Sequence, residues 1–243
     1  MTRHILWTSG WDSTFCVVSA LLDSDDLVQP WYVLDSDRRS SSIELKRMGE
    51  LSEMIARDYP HAAERLLPVT VVRVGEIPRD RLVEEQYFAL HSEYGIGGQY
   101  DWLARLAKWK NLKLELSVLH GAGASGAFSE YLKPAMSGRY KMAAPEDSPL
   151  ELYERFLFPL YGRSKIDMAD EARQRGFETI MNHTWFCFNP ISGRPCGYCT
   201  PCRQAIEEGL GYRVPTRTRR RRVQAWAFML PTRIRVKLRQ LSR

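Results

Sequence analysis

Apolar positions in the first half of the chain fall into short runs separated by amphipathic stretches. Ile5-Leu6-Trp7 and Trp31-Tyr32-Val33-Leu34 are brief and apolar, and Val69 to Val74 is β-branched, so each reads as a buried strand. Phe15 to Leu22 and Ile43 to Tyr59 have helical spacing, and Tyr100 to Trp109 sets Leu103, Leu106 and Ala107 on one side of a helix. Leu112 to Leu119 reads as a fourth strand that runs into the glycine-rich H120-G-A-G-A-S-G126. Strands and helices in alternation predict an α/β fold on a parallel sheet covered on both faces.

From Phe128 to Leu160 the pattern weakens, and Pro134, Gly138, Pro145 and Pro149 punctuate it, which predicts loops and short helices. Ser164 to Arg175 resumes as a helix, with Ser164 as N-cap, Asp167 at the position a capping box prefers and Gly176 ending it. Arg203 to Gly209 reads as a short glycine-capped helix. There is no internal repeat.

Charge divides the chain in a way that the net value of +6 hides. Arg213, Arg217, Arg219, Arg220, Arg221, Arg222, Arg233, Arg235, Lys237, Arg239 and Arg243 are eleven basic groups in a stretch with no acid, so the remaining 24 basic and 29 acidic residues carry −5. Such asymmetry suits contact with nucleic acid, an anionic membrane or an acidic protein. In the first case the arginines would meet phosphates while Trp226 or Phe228 stacks on bases; the tail could equally be an extension without specific contacts. No stretch approaches a transmembrane span, and M1-T-R-H-I-L-W-T-S-G leads directly into a loop, leaving no room for a signal segment. With an odd cysteine count, the expectation is a reducing cytoplasm.

Cys187, Cys196, Cys199 and Cys202 lie within sixteen residues, in T184-W-F-C-F-N-P-I-S-G-R-P-C-G-Y-C-T-P-C-R203. Four thiolates at about 2.3 Å satisfy tetrahedral Zn²⁺, and the two-residue gaps let three of them wrap one ion while Cys187 closes the cage. Paired disulfides and free buried thiols are the alternatives. A closed four-thiolate site would stabilise the fold and perform no chemistry. His4, His61 and His91 have no spacing for a second metal, and His183 could shield the knuckle or pack beside it.

T8-S-G-W-D-S-T14 falls between the first strand and the first helix, where an open α/β sheet puts a ligand-binding turn. Ser9 and Gly10 allow backbone N–H groups close to an anion, the helix points its positive end there, and Ser13 and Thr14 add hydroxyls. Asp12 would repel phosphate unless Mg²⁺ lay between them. An ordinary helix N-cap is the structural alternative.

T8-S-G-W-D-S13 resembles the S-G-G-x-D-S pyrophosphate loop of the N-type ATP pyrophosphatase (PP-loop) superfamily. The cysteine run resembles the zinc knuckle of one branch, the 7-cyano-7-deazaguanine synthase family. L34-D-S-D-R-R-S-S-S-I-E-L45 is similar to the family's strand ending in Asp with a polar, basic stretch, R163-S-K-I-D-M168 more loosely to its L-T-K helix start, and T184-W-F-C187 to its T-W-x-C. Together these motifs span residues 3 to 212 in the family's order. Thr8 and Ser9 replace the family's Ser and Gly, and its D-Y-S-G-Y-P-D-C-R substrate segment has no counterpart; Y94-G-I-G-G-Q-Y-D-W-L103 is the nearest candidate.

The resemblance implies a Rossmann-like, adenine nucleotide alpha hydrolase-like domain over 1–180 and a zinc-binding knuckle over 181–212, and the charge distribution adds a basic amphipathic tail over 213–243. It implies an ATP-dependent carbon–nitrogen ligase of queuosine biosynthesis, using ATP, Mg²⁺ and Zn²⁺. A 7-carboxy-7-deazaguanine would be adenylated and converted with ammonia, through the amide, to the nitrile. Thr8, Ser9, Gly10, Trp11, Asp12, Ser13, Thr14 and Asp35 would bind the nucleotide, and Asp12, Ser13 and Lys165 would act in catalysis. Read without the family, Lys165 is equally a solvated lysine, Asp35 an ordinary turn aspartate and H120-G-A-G-A-S-G126 a flexible loop. Two alternatives stay open: joining of the activated acid to another amine, on a protein or RNA, and a non-enzymatic zinc-bearing nucleic-acid binder. Homo-oligomerisation is left open.

Overall fold

β1 (Thr2–Leu6) runs through the middle of a mostly parallel sheet, with β2 (Leu27–Leu34) on one side and β4 (Leu114–Glu115) on the other. β3 (Thr70–Arg73) extends the first side and β7 (Phe156–Phe158) the second, both parallel; β6 (Tyr140–Met142) and β5 (Leu132–Pro134) then add an antiparallel margin. The order β3-β2-β1-β4-β7-β6-β5 makes a seven-stranded sheet among the described residues, which in this computed structural model are 1–35, 38–119, 131–135 and 138–226. From β1 the chain winds outward to β2 and β3, then returns to β4 on β1's other side. That reversal opens a crevice beyond the carboxyl ends of β1 and β4, the usual place for a ligand in such sheets.

Helices cover both faces, as parallel strands require. On one face, α4 (Arg81–Tyr94) and α5 (Gln99–Trp109) bury Val83, Tyr87, Leu90, Leu103 and Leu106 with Trp31, Val33, Val72 and Phe156. On the other, α1 (Trp11–Asp23), α2 (Ser41–Asp58), the short α3 (Pro60–Ala63), α6 (Lys165–Gln174) and α7 (Glu178–Asn182) enclose Ile5, Trp7, Val28 and Tyr32. Each fully buried large side chain stabilises the fold by about 1.5–3 kcal/mol. Between the layers, Glu115 of β4 is buried against Arg3 of β1 at 2.7 Å and Arg139 at 2.9 Å, so breaking this triad would leave an uncompensated charge.

Several elements differ from the sequence expectation. β2 starts at Leu27, four residues before Trp31, and includes Pro30 opposite Ile5. Gln29 Nε2 strengthens that stretch by donating to the Pro68 carbonyl and Thr70 Oγ1. α1 starts at Trp11, four residues before Phe15, so Asp12 and Ser13 belong to its first turn; the Thr14 N–H already donates to Gly10. α4 has no counterpart in the sequence expectation: its buried stripe is only Val83, Tyr87 and Leu90 on a charged helix, although Asp80 and the left-handed Gly95 cap it. The Phe128 to Leu160 region, expected as loops and short helices, includes the three-residue strands β5, β6 and β7, which are too short to show alternation. Past Leu116 the expected fourth strand leaves the sheet. Ser164 and Asp167 form the expected capping box, and Gly176 follows α6 at φ 80°. H120-G-A-G-A-S-G126 and the tail beyond 226 lie outside the described residues. Among the described residues no helix is long and apolar enough to cross a membrane.

Candidate functional site

The crevice beside β1 and β4 is a cavity of about 300 Å³, reached by Thr8, Gly10, Trp11, Asp12 and Ser13 from the first loop and helix turn. Thr8 N–H donates to Ser13 Oγ at 3.2 Å, and the Thr8 and Ser13 hydroxyls are 3.3 Å apart, so the two side chains hold the turn in shape. Gly10 has little spare room, since a Cβ there would stand 3.3 Å from Thr8 Oγ1 and 3.7 Å from the Trp185 carbonyl. Ser9 takes φ 54°, a left-handed conformation that suits glycine, and its buried hydroxyl has no partner among the described residues. The strain is offset by the Ser9 carbonyl, which accepts the Trp185 N–H at 2.8 Å. This bond ties T184-W-F-C187 to the first loop.

Lys165, at the start of α6, reaches the same cavity and lies 3.5 Å from Asp12 Oδ2 and 2.8 Å from Glu208 Oε2. Burial pushes the Asp12 carboxyl above its ordinary value, Lys165 pulls it back, and Glu208 adds to the rise. Asp12 Oδ1 is buried without a hydrogen-bond partner among the described residues. A carboxylate oxygen in that condition is suited to a cation, since desolvating it unpaired is costly.

Thr14 and Asp35 stand elsewhere. Thr14 is fully buried and accepts a hydrogen bond from Trp7 Nε1 at 3.0 Å, so its hydroxyl braces β1 against α1. Asp35 follows β2 and its carbonyl accepts from the Arg38 N–H; it does not line the cavity, whereas Arg38 and Glu44 do. Glu44 is buried and accepts from Arg38 Nε at 2.8 Å, Ser40 Oγ at 2.6 Å and Tyr32 Oη at 3.0 Å. It holds Arg38 where the guanidinium lies 5.0 Å over the Phe188 ring.

Sequence reasoning missed Arg213, which its charge groups with the tail. Its guanidinium lies between the rings of Trp11 and Phe186, 5.2 and 5.1 Å from their centroids, and donates to the carbonyl and Oγ1 of Thr184. Burial lowers its pKa to about 10, so it stays charged at neutral pH. The one signal for it was proximity to G209-L-G-Y212, which closes the knuckle helix. Glu208 gave no signal at all, being one of two glutamates at a helix end. Gln99, Tyr100 and Leu103 also line the cavity, so the Y94-to-L103 segment does reach it.

All four clustered cysteines are buried and free, and their sulfurs lie within 4.8 Å of one another. Cys187 and Cys199 are 3.8 Å apart, Cys196 and Cys202 3.9 Å, and Cys199 and Cys202 3.4 Å. Disulfides would require about 2.05 Å, whereas a tetrahedron with bonds of about 2.3 Å has edges of about 3.8 Å. N–H groups of Cys196, Gly197, Tyr198 and Cys199 donate to these sulfurs, as thiolates require. Hydrogen bonding within the cluster, from Cys187 first, pulls Cys196 and Cys199 below the ordinary thiol value and pushes Cys187 and Cys202 above it. The four cysteines can hold a metal ion, and the set is compatible with zinc. Cys199 caps α8 (Thr200–Glu207) and Cys202 lies in its first turn; the helix carries Pro201, Gln204 and Ala205 into the cavity wall, so the knuckle supports one side of the site.

No family model and no curated protein matches the chain.

Proposed function

We propose that this chain is an ATP-dependent carbon–nitrogen ligase resembling 7-cyano-7-deazaguanine synthase, acting in the cytoplasm with zinc in its knuckle. The observation that carries the reading is the meeting of Asp12 and Lys165, 3.5 Å apart, at the start of α1 in the switch-point cavity. An anion at that helix start gains from the helix dipole and from free N–H groups. Asp12 Oδ1, buried and without a hydrogen-bond partner among the described residues, fits Mg²⁺, which when bound would neutralise phosphate charge.

The acid's carboxylate oxygen attacks the α-phosphorus of ATP and the bond to pyrophosphate breaks, giving an acyl adenylate. Ammonia then attacks the carbonyl carbon and AMP leaves, yielding the amide. A second adenylation, on the amide oxygen, followed by loss of AMP gives the nitrile. Lys165 and Arg213 oppose the negative charge that grows on the phosphates, and Thr8 and Ser13 keep the turn ready for them. Each such preorganised donor is worth on the order of 3 kcal/mol in the transition state. Trp11, Phe186 and Phe188 offer aromatic surface to a flat heterocycle.

A second reading keeps the adenylation and changes the amine. It is favoured by Gln99, Tyr100 and Leu103, which line the wall in the absence of the family's substrate segment. Mass spectrometry of the base after reaction with ATP, Mg²⁺, 7-carboxy-7-deazaguanine and ammonia separates the two. Free nitrile supports the first; AMP release without amide or nitrile supports the second; no AMP with any deazaguanine acid removes both.

A further inference from the structure

The start of the basic tail is built onto the knuckle. Arg217 Nε donates to the Gly197 carbonyl at 2.9 Å, Arg221 Nη2 to the Pro195 carbonyl at 2.7 Å, and Tyr198 Oη to the Thr218 carbonyl at 3.0 Å. A helix follows over 219–226, with Thr218 Oγ1 accepting the Arg221 N–H and Ala225 fully buried against the cysteine cluster. This mounting uses only neutral acceptors. Among the described residues no carboxylate pairs with Arg217, Arg219, Arg220, Arg221 or Arg222, so their charge is uncompensated there. The outer side of the helix carries exposed Arg219, Arg220 and Arg222 with Val223 at 61% and Trp226 at 56% exposure.

These arginines do not stabilise the helix. Cations in a first turn oppose the helix dipole, at about 0.3–1 kcal/mol each. Their place is explained by an anionic partner. We infer that the helix over 219–226 is a surface for single-stranded nucleic acid, held in position by the metal knuckle. Arginine's planar fork suits phosphate oxygens better than an ammonium would, and an exposed tryptophan beside it offers a base a stacking face. An anionic membrane is a poorer match within 219–226: Ala225 is spent on the knuckle, leaving Val223 and Trp226 as the apolar surface. The surface stands independently of the ligase reading, because binding is measured without ATP.

Fluorescence anisotropy of a labelled 20-nucleotide single-stranded RNA, and of DNA of the same sequence, between 50 and 200 mM salt tests this on the full chain. The variant Arg219→Gln/Arg220→Gln/Arg222→Gln is expected to bind at least tenfold more weakly and to lower the salt slope by about 2, at about 0.7 for each phosphate no longer neutralised. Trp226→Ala is expected to weaken binding about fivefold or more. Metal content and melting temperature report whether the triple variant is folded; should it fail, Arg220→Gln alone is expected to weaken binding two- to fivefold. Equal affinity of wild type and a folded variant would overturn the inference, placing any binding elsewhere in the chain. Wild type that binds neither oligonucleotide at 50 mM salt, or binds only phosphatidylserine vesicles or an acidic polypeptide, would overturn it as well.

Discussion

Lys165 Nζ lies 3.5 Å from Asp12 Oδ2 and 2.8 Å from Glu208 Oε2, so one ammonium group joins the first turn of α1 to the end of α8. Two carboxylates share one cation, and one oxygen of Asp12 is left without a hydrogen-bond partner among the described residues. Desolvating that oxygen without a partner costs stability, and the proposed ATP site would use it for a cation.

Opposite effects on stability and a shared loss of function follow from this arrangement. Asp12→Asn removes an underpartnered buried charge and should melt at or above the wild-type temperature, while ATP turnover falls at least 100-fold. Lys165→Met leaves Asp12 and Glu208 facing each other and should cost about 1–2 kcal/mol, or roughly 3–6 °C. The double variant should recover part of that loss. A collapsed fold in Asp12→Asn would instead mark Asp12 as a structural cap.

The pH dependence of stability has a defined sign. Because the folded state holds the Asp12 proton more tightly than the unfolded chain, whose ordinary value is 3.8, this group's contribution is most favourable below 3.8. It is lost progressively as pH rises through 3.8 to the raised folded value and is constant above that. The advantage of Asp12→Asn over wild type in thermal melts should therefore grow with pH across that window and then level off. A difference independent of pH would mean that the carboxyl is not perturbed.

Much of this site was legible because it depends on local chemistry. The cysteine spacing carries its own geometry, and Ser164 with Asp167 marks the start of α6, which fixes where Lys165 projects. The small-residue loop after an apolar run identified the turn at β1. What escaped was set by tertiary packing. Thr14 was expected to face a ligand and instead accepts from Trp7, since one residue along a helix turns a side chain by about 100°. Arg213 shares its charge with the arginines that follow it, while Trp11, Phe186 and Thr184, far away in sequence, draw it into the cavity wall. The strands β5 to β7 escaped because three residues are too few for a period.

Loss of one thiolate should remove metal and stability together, since metal binding to a site absent from the unfolded chain is folding free energy. Cys199→Ser is expected to purify with less than one zinc per chain by atomic emission and to melt at least 5 °C below wild type. A variant that lacks metal yet melts like wild type would show that the knuckle does not need the ion.

Ser9 supplies a test in the stabilising direction. Glycine accepts φ 54° without strain and removes a buried hydroxyl that has no partner among the described residues, so Ser9→Gly should gain about 1 kcal/mol, or roughly 2–4 °C. ATP turnover should stay within about twofold, because Ser9, unlike Thr8 and Gly10, does not line the cavity. Destabilisation would show that the Ser9 hydroxyl is bonded.

The most direct test follows oxygen. With 7-carboxy-7-deazaguanine labelled with ¹⁸O in its carboxylate, in the presence of ATP, Mg²⁺ and ammonia, adenylation transfers one labelled oxygen to phosphorus each time AMP leaves. AMP carrying one ¹⁸O, formed by wild type and absent with Lys165→Met, is the expected result. Unlabelled AMP, ADP as the nucleotide product, or no nucleotide turnover at all would contradict an acyl-adenylating ligase.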